Sequence, residues 1–387
     1  MKLGFVYDAV YPWIKGGGEK TLYELTCSLR DRGHECHLFG MHLWDGPTVL
    51  ERAGLLYHAI CPKLPLYGPD GKRRAAQPLK FAAGLYRRLP RYDLASFDLF
   101  DVHAFPFFSV PAFAAVRRRR MPRVPWLLTW LEVWGDDYWR RYLGWKGRLG
   151  AWIERWSARL GPHHLCISPT TGRRLQTLLG VDPSRISVIP RGFAPPSALP
   201  TVERGRRRCL VAGRMLAYKR VDLVVRAWPT VLRSQPDAKL HIVGGGPERA
   251  SLERLANELG LASSVRFLGE LPEREQVLAE IASATLLLQP SVREGQSTVV
   301  LEALTLGTPV LAASGDETAV GDFLGPIPAT DAARLDAAAS SEVWGERIVK
   351  LLVDEPLRRR LADQGGEAIA ALGWKAHIAP QVEELYL

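Results

Sequence analysis

The sequence predicts an α/β protein made of two parallel-sheet domains in tandem. Three observations carry that prediction. At 387 residues the chain is long for one core. In each half, short apolar runs alternate with loop-and-helix patterns, the order of βαβ units, which implies parallel sheets. Between the halves, Pro190 to Arg208 breaks the periodicity with prolines at 190, 195, 196 and 200 and reads as a linker. The expected division is a first domain over 1–190, a linker over 191–208 and a second domain over 209–365. A helical segment over 366–387 is expected to return to the first domain.

The first half opens with Lys2 to Asp8, an apolar run of strand type. A loop containing Gly16, Gly17 and Gly18 follows, then a helical pattern from Thr21 to Arg32 that Gly33 ends, then a strand over Glu35 to Phe39. Three glycines at a strand-to-helix turn allow close backbone approach to a phosphate. Their spacing fits neither a P-loop nor GxGxxG, so the cluster alone is equally a plain turn. Residues 61–96 read as loop plus one helix. Phe97 to His103 and Val124 to Leu131 read as strands whose C-terminal ends present His103, Glu132, Asp136 and Asp137 on one rim.

Arg140 to Leu160 carries Tyr142, Trp145, Leu149, Trp152, Trp156 and Leu160 at helical spacing among arginines. The favoured reading is one amphipathic helix with the tryptophans in the core and the arginines solvated. The other reading is a helix lying on an anionic membrane. Leu165 to Ser168 and Ile186 to Ile189 read as further strands, with a helix over Pro169 to Leu179 between them.

The second half repeats this grammar. Strands over Cys209 to Ala212, Lys239 to Val243, Val265 to Leu268 and Thr285 to Gln289 each lead into a loop and helix. The last delivers REGQSTVVLEALTLGTPV, residues 293–310, read as a loop, a helix of about three turns and a strand. Ser297 suits an N-cap, and Gly307 followed by Pro309 suits a helix end. Glu294 precedes the helix and Glu302 lies in its second turn. The free amides of such an N-terminus suit a phosphate.

Composition sets the remaining bounds. Apolar residues make up 47% and charged residues 24%, values of a globular chain. No apolar run reaches the 18 or so residues of a membrane span, and the N-terminus reads as a strand rather than a signal peptide. Five dispersed cysteines without CxxC favour reduced thiols in a cytosolic protein and give no zinc site. Residues 1–190 hold 28 Lys and Arg against 16 Asp and Glu, net +12, so the first half carries all of the +10 overall charge. That excess points to an anionic partner there or to an arginine-rich composition. Arg117 to Arg120 lacks the aromatic interleaving of a nucleic-acid surface.

Several motifs in fixed order identify a family. Gly213-Arg214, Lys219-Arg220, Gly244-Gly245-Gly246-Pro247, VRFLG at 265–269 and the pair Glu294 and Glu302 span roughly a hundred residues. GGGEKTLYEL at 16–25, TWLEVWGDDYW at 129–139 and VIPRG at 188–192 extend the match over nearly the whole chain. The chain resembles the family 4 retaining glycosyltransferases of the GT-B fold, in which two Rossmann-like domains face a cleft.

The resemblance implies transfer of a sugar from a nucleoside diphosphate to a hydroxyl acceptor, with no cofactor or metal required. A UDP-sugar is the expected donor, with a GDP-sugar as the other choice. Arg214 and Lys219 match the clamp on the diphosphate, beside Gly213, Gly244 and Gly245. Amides around Ser297, Thr298 and Val299 match the phosphate-binding turn. Glu302 matches the ribose carboxylate, and Glu294 the carboxylate near the donor sugar. Gly16, Gly17 and Gly18 match the glycine loop that meets the diphosphate, and His103 a contact to the sugar.

Leu131 stands where close relatives have His, Arg191 where Asn is usual, and Gln296-Ser297 where an aromatic and Gly are commoner. Gln296 and Ser297 are therefore the expected seat of donor specificity. The implied acceptor is a cell-envelope glycan or lipid, or a small natural product. The basic first domain would allow a cytoplasmic enzyme to contact a membrane peripherally. The alternative is a GT-B protein without transferase activity, a sugar-nucleotide binder or an epimerase.

Overall fold

The computed structural model describes residues 1–14, 16–66, 74, 76–194, 200, 202–203, 205–324 and 333–387. Prolines 195 and 196 of the expected linker lie outside the described residues. The chain forms two compact units, Met1–Gly192 with Gly373–Leu387, and Phe193–Leu372.

The first unit is an eight-stranded sheet. In chain order it contains β1 (Lys2–Val6), α1 (Gly17–Arg30), β2 (Glu35–His42), β3 (Val49–Arg52), β4 (Leu55–Pro62) and α2 (Ala76–Arg88). Then come β5 (Leu99–His103), α3 (Ser109–Arg120), β6 (Trp126–Trp130), α4 (Gly135–Leu143), α5 (Gly147–Leu160), β7 (His164–Cys166), α6 (Pro169–Leu179) and β8 (Ile186–Val188). The strand order is β3-β4-β2-β1-β5-β6-β7-β8, parallel except for the β3–β4 pair. β1 and β5 are buried along nearly their whole length, which is why both read as continuous apolar runs rather than alternating ones.

The hairpin of β3 and β4 was not anticipated. Its second strand is the stretch LLYHAICP, buried without a break from Tyr57 to Cys61, so no alternation marks a face. The residues at 373–387, including the last helix (Ala379–Tyr386), belong to this unit. Tyr386 donates to buried Asp101 at 2.6 Å, Trp374 Nε1 donates to Glu24 at 2.8 Å, and Glu383 sits 2.7 Å from His34 Nε2.

One expectation here fails in two respects. Residues 140–160 do not form a single helix. Gly144 adopts φ +59°, which separates α4 from α5. Nor is the tryptophan stripe core: Trp145, Leu149, Trp152 and Trp156 are exposed, whereas Gly150, Ala151, Ile153, Glu154, Ser157 and Ala158 are buried. The small residues form the inward stripe. Added side chains at Gly147 and Gly150 would overlap the Trp139 carbonyl and the Trp139 ring. Buried Glu154 accepts from the amides of Trp134 (2.7 Å) and Gly135 (2.9 Å) and from Trp139 Nε1 (2.8 Å).

The second unit contains β9 (Arg208–Ala212), α7 (Val221–Ser234), β10 (Lys239–Val243), α8 (Arg249–Glu258), β11 (Val265–Gly269), α9 (Arg274–Ser283) and β12 (Leu286–Gln289). It continues with α10 (Thr298–Thr305), β13 (Val310–Ser314), α11 (Val320–Phe323), β14 (Arg334–Asp336), α12 (Ser341–Val353) and α13 (Glu355–Ala370). The last element of the chain is α14 (Ala379–Tyr386), the helix already placed in the first unit. The six strands are parallel, in the order β11-β10-β9-β12-β13-β14. Trp228 of α7 and Trp344 of α12 anchor the core on one side of this sheet. Among the described residues no helix is long and apolar enough to cross a membrane.

Candidate functional site

Strand order points to a candidate site in each unit. In the second unit the chain runs β9, β10, β11 towards one edge and then returns to β12 on the other side of β9. In open parallel sheets, ligands bind beyond the strand C-termini at such a reversal. The loops at this point are those after β9 and β12, and they carry Gly213, Arg214, Lys219, Glu294 and Gln296.

Backbone packing explains the glycines. Gly244 N donates to the Gly269 carbonyl and Met215 N to the Gly245 carbonyl, each at 2.7 Å. Gly244, at φ +121°, lies so close to the Gly213 carbonyl that any side chain would overlap it. These loops interlock, and the interlock holds the segment that follows Gly213. Gly245 faces Glu270 in turn.

Lys219 ends a short 3₁₀ turn, Ala217–Lys219, and its ammonium pairs with Glu294 Oε1. The same oxygen accepts from Gln289 Nε2 at 2.8 Å, and Gln289 also donates to Ser291 at 3.0 Å. Val292 N donates to the Tyr218 carbonyl at 3.0 Å, which ties the lysine turn to the glutamate loop. Lys219 and Glu294 are thus brought together, as a residue pair 75 positions apart.

α10 starts at Thr298, with Ser297 in the N-cap position at φ −83°, ψ 113°. The hydroxyl of Ser297 makes no capping bond, so the cap expected from its identity is supplied only by backbone geometry. The helix is eight residues, about two turns rather than three. Gly307, at φ +65°, ends it as expected. Gln296 and Ser297 are buried. Buried Glu302 accepts from Arg274 Nη2 at 3.0 Å and Nε at 3.2 Å.

Arg274 and Gln289 escaped the sequence reading. Gln289 had a signal, since a polar residue closing the buried run LLLQ sits where parallel strands present ligands. Arg274 had none, because it opens a helix whose start looks like any other capping box.

The first unit has its own reversal between β1 and β5. Gly16 is extended before α1, and Arg191 Nη1 donates to the Gly17 carbonyl at 3.2 Å. Gly17 and Gly18 lie in the first turn of α1, which begins earlier than the expected Thr21. The side chain in place of the family's usual Asn thus grips the start of that helix. A side chain on Gly18 would come within 2.7 Å of Leu131 Cδ1 and 3.0 Å of the Tyr7 hydroxyl. Leu131 therefore packs on the first turn of α1.

His103 ends β5, is buried and stacks on Tyr7 with ring centroids 4.5 Å apart. Burial pushes its pKa down to about 3, so the ring is neutral at ordinary pH. Glu132 Oε1 accepts from Trp134 Nε1 at 2.7 Å. Asp136 is engaged by Arg155 and Asp137 by Arg140 at 3.6 Å.

Two Rossmann-like sheets in one chain, one wholly parallel and the other parallel apart from its β3–β4 edge, each with polar loops at its own reversal, match the GT-B class of glycosyltransferase fold. Residues 201–367 match the family model for glycosyl transferases group 1, and residues 15–195 match that for glycosyltransferase family 4. The D-inositol 3-phosphate glycosyltransferase of Thermomonospora curvata is 32% identical over 94% of this chain and 88% of its own length. Matches to two corynebacterial proteins of the same name span only 41% of those chains. The chain belongs to the family 4, group 1 glycosyltransferases.

Among solved structures, sucrose-phosphate synthase from Thermosynechococcus elongatus superposes with a TM-score of 0.75 at 20% identity, covering 100% of this chain and 98% of that one. The Anabaena protein HepE in complex with UDP gives 0.71 at 18% identity, covering 100% and 99%. These likenesses show the fold.

Proposed function

We propose that the protein transfers a hexosyl group from a nucleoside diphosphate sugar, a UDP-sugar first among them, to a hydroxyl acceptor with retention and without a bound metal. The observation that carries this reading is the Lys219–Glu294 pair at the β9/β12 reversal, beside Arg214 and the N-terminus of α10. The likeness to HepE, a protein solved in complex with UDP, supports a nucleoside diphosphate as the ligand class.

Negative charge grows on the departing diphosphate as the glycosidic bond breaks. Arg214, Lys219 and the first amides of α10 meet that charge with groups already oriented for it. Gln289 and Lys219 together orient the Glu294 carboxylate towards the donor sugar. Arg274 holds Glu302, whose carboxylate takes the ribose hydroxyls. In the front-face reaction the acceptor oxygen bonds to the anomeric carbon as the carbon–phosphate-oxygen bond breaks. The acceptor proton passes to that phosphate oxygen. His103, neutral and buried at the first unit's own reversal, offers a hydrogen bond there rather than a positive charge.

A thermal-shift series with UDP, UDP-glucose, GDP and GDP-mannose tests the reading. A nucleotide that binds the native state raises the melting temperature with concentration, and turnover of the matching sugar nucleotide should persist in EDTA. Unchanged melting with all four ligands would refute the donor site, and loss of turnover in EDTA would refute the metal-free mechanism.

A further inference from the structure

The outer face of α5 is at odds with a solvent-facing helix. Leu149 is 59% exposed, Trp152 54% and Trp156 40%, at positions i, i+3 and i+7, and Trp145 one turn earlier is 80% exposed. The indoles of Trp152 and Trp156 lie 5.2 Å apart, so they present one continuous apolar surface. Contiguous exposed apolar surface of this kind marks an interaction site.

Charge identifies the occupant. Arg148 and Arg159 flank the stripe and are exposed, and Lys146 lies 5.8 Å over the Trp145 ring. The only acid of α5, Glu154, is fully buried on the opposite face with its three donors. Nearby Asp136 and Asp137 are each held by an arginine. On the adjacent α3, Arg118, Arg119 and Arg120 are exposed. A groove of about 500 Å³ joins the two helices, lined by Ala114, Arg118, Arg119, Trp126, Trp156 and Leu160. A second copy docked face to face would set these cations against one another. An anionic lipid surface instead satisfies both parts of the face, since indoles settle at the headgroup boundary and arginines meet phosphates.

We propose that α5, with Trp145 and the arginines of α3, docks the protein on the interface of an anionic lipid bilayer. The helix lies in the plane of the membrane, with Trp152 and Trp156 at the level of the headgroups. The proposal stands apart from the transfer reaction, because docking requires neither donor nor turnover.

The test is co-sedimentation of the full chain with vesicles of phosphatidylglycerol and phosphatidylcholine, against vesicles of phosphatidylcholine alone. Binding to the anionic vesicles is expected at low salt. It should weaken as the screening length falls from about 10 Å at 0.1 M to about 3 Å at 1 M. Each basic residue strengthens partition roughly fivefold, so Arg148→Glu with Arg159→Glu should reduce binding more than tenfold. Trp152→Ser with Trp156→Ser should also reduce it and abolish quenching of tryptophan fluorescence by brominated lipid. Both pairs are on the surface, and an unchanged melting temperature checks that they fold.

Absence of binding to anionic vesicles at low salt would overturn the proposal. So would binding that neither double variant weakens. A concentration-dependent dimer lost in the tryptophan variant, without vesicle binding, would assign the face to a second copy of the chain.

Discussion

Glu294 Oε1 receives both the Lys219 ammonium and Gln289 Nε2, so the lysine is already anchored where the proposed diphosphate would meet it. Removing one preorganised donor from a developing charge costs on the order of 10²–10³ in rate. Lys219→Ala should lose that much turnover, read as kcat under saturating donor, and near-normal kcat would remove the lysine from the diphosphate. Glu302 should behave differently, because ribose contacts act in ground and transition states alike. Glu302→Ala should weaken UDP binding roughly tenfold, the worth of about one charge-assisted hydrogen bond, with kcat changed little. Arg274→Ala should follow it in the same direction by a smaller factor, since its guanidinium is partly exposed and screened. Calorimetric titration with UDP reads both, and full affinity in Glu302→Ala would remove the ribose role. At this scale the family motifs single out Arg214, Lys219, Glu294 and Glu302 as candidates, and of these the structure pairs Lys219 with Glu294. Arg274 was not legible in the sequence, since its role depends on α9 and α10 being neighbours, a fact of packing that no local pattern records.

The helix pair α4 and α5 shows where element-level reading went astray. Periodicity identifies that a face exists, and size alone then favours the larger side chains for the core. Burial went instead to Gly147, Gly150, Ala151, Glu154 and Ala158, a stripe at equally good helical spacing. Small residues there let α5 approach the Trp139 ring, which a large residue would hold away. Gly150→Ala therefore sets two effects in opposition. Alanine improves helix propensity by up to about 1 kcal/mol, whereas overpacking against a fixed indole costs about 1–3 kcal/mol. A net loss of roughly 1–2 kcal/mol is expected, seen as a lower urea midpoint at unchanged slope. A raised midpoint would mean that the indole moves freely. The βαβ order and most strands were legible because parallel strands buried on both faces are continuous apolar runs. The β3–β4 hairpin was not, because an antiparallel edge appended to such a sheet lacks that signature.

For the whole molecule, acid should act unevenly on the two units. Burial holds His103 at about 3 and both His58 and His164 at about 4, against an ordinary value near 6.5, and it lowers His37 and His163 in the same sense. All five belong to the first unit. These rings stay neutral in the folded state while the unfolded chain takes up protons below about 6.5. Their contribution is therefore intact above that pH and is lost progressively as pH falls towards 4. Asp101 runs the other way. Burial pushes it up to about 6, despite donors from Thr129 and Tyr386 that pull it down, so it favours the folded state in acid and less so as pH rises through 6. One carboxyl opposes several imidazoles, and the net effect between pH 7 and 5 is destabilisation. Hydrogen exchange, corrected for the intrinsic pH dependence of the amides, should show strands β1, β2 and β4–β7 losing protection at pH 5 relative to β9–β13. His58→Phe removes one such proton and keeps the stack 4.7 Å from Phe39 and the edge to Tyr92 at 4.8 Å, at the cost of the 2.8 Å hydrogen bond between His58 Nε2 and His37 Nδ1. That variant should flatten the pH dependence of the first unit and leave the second unchanged. Equal loss of protection in both units would show that the acid response is not set by these buried rings.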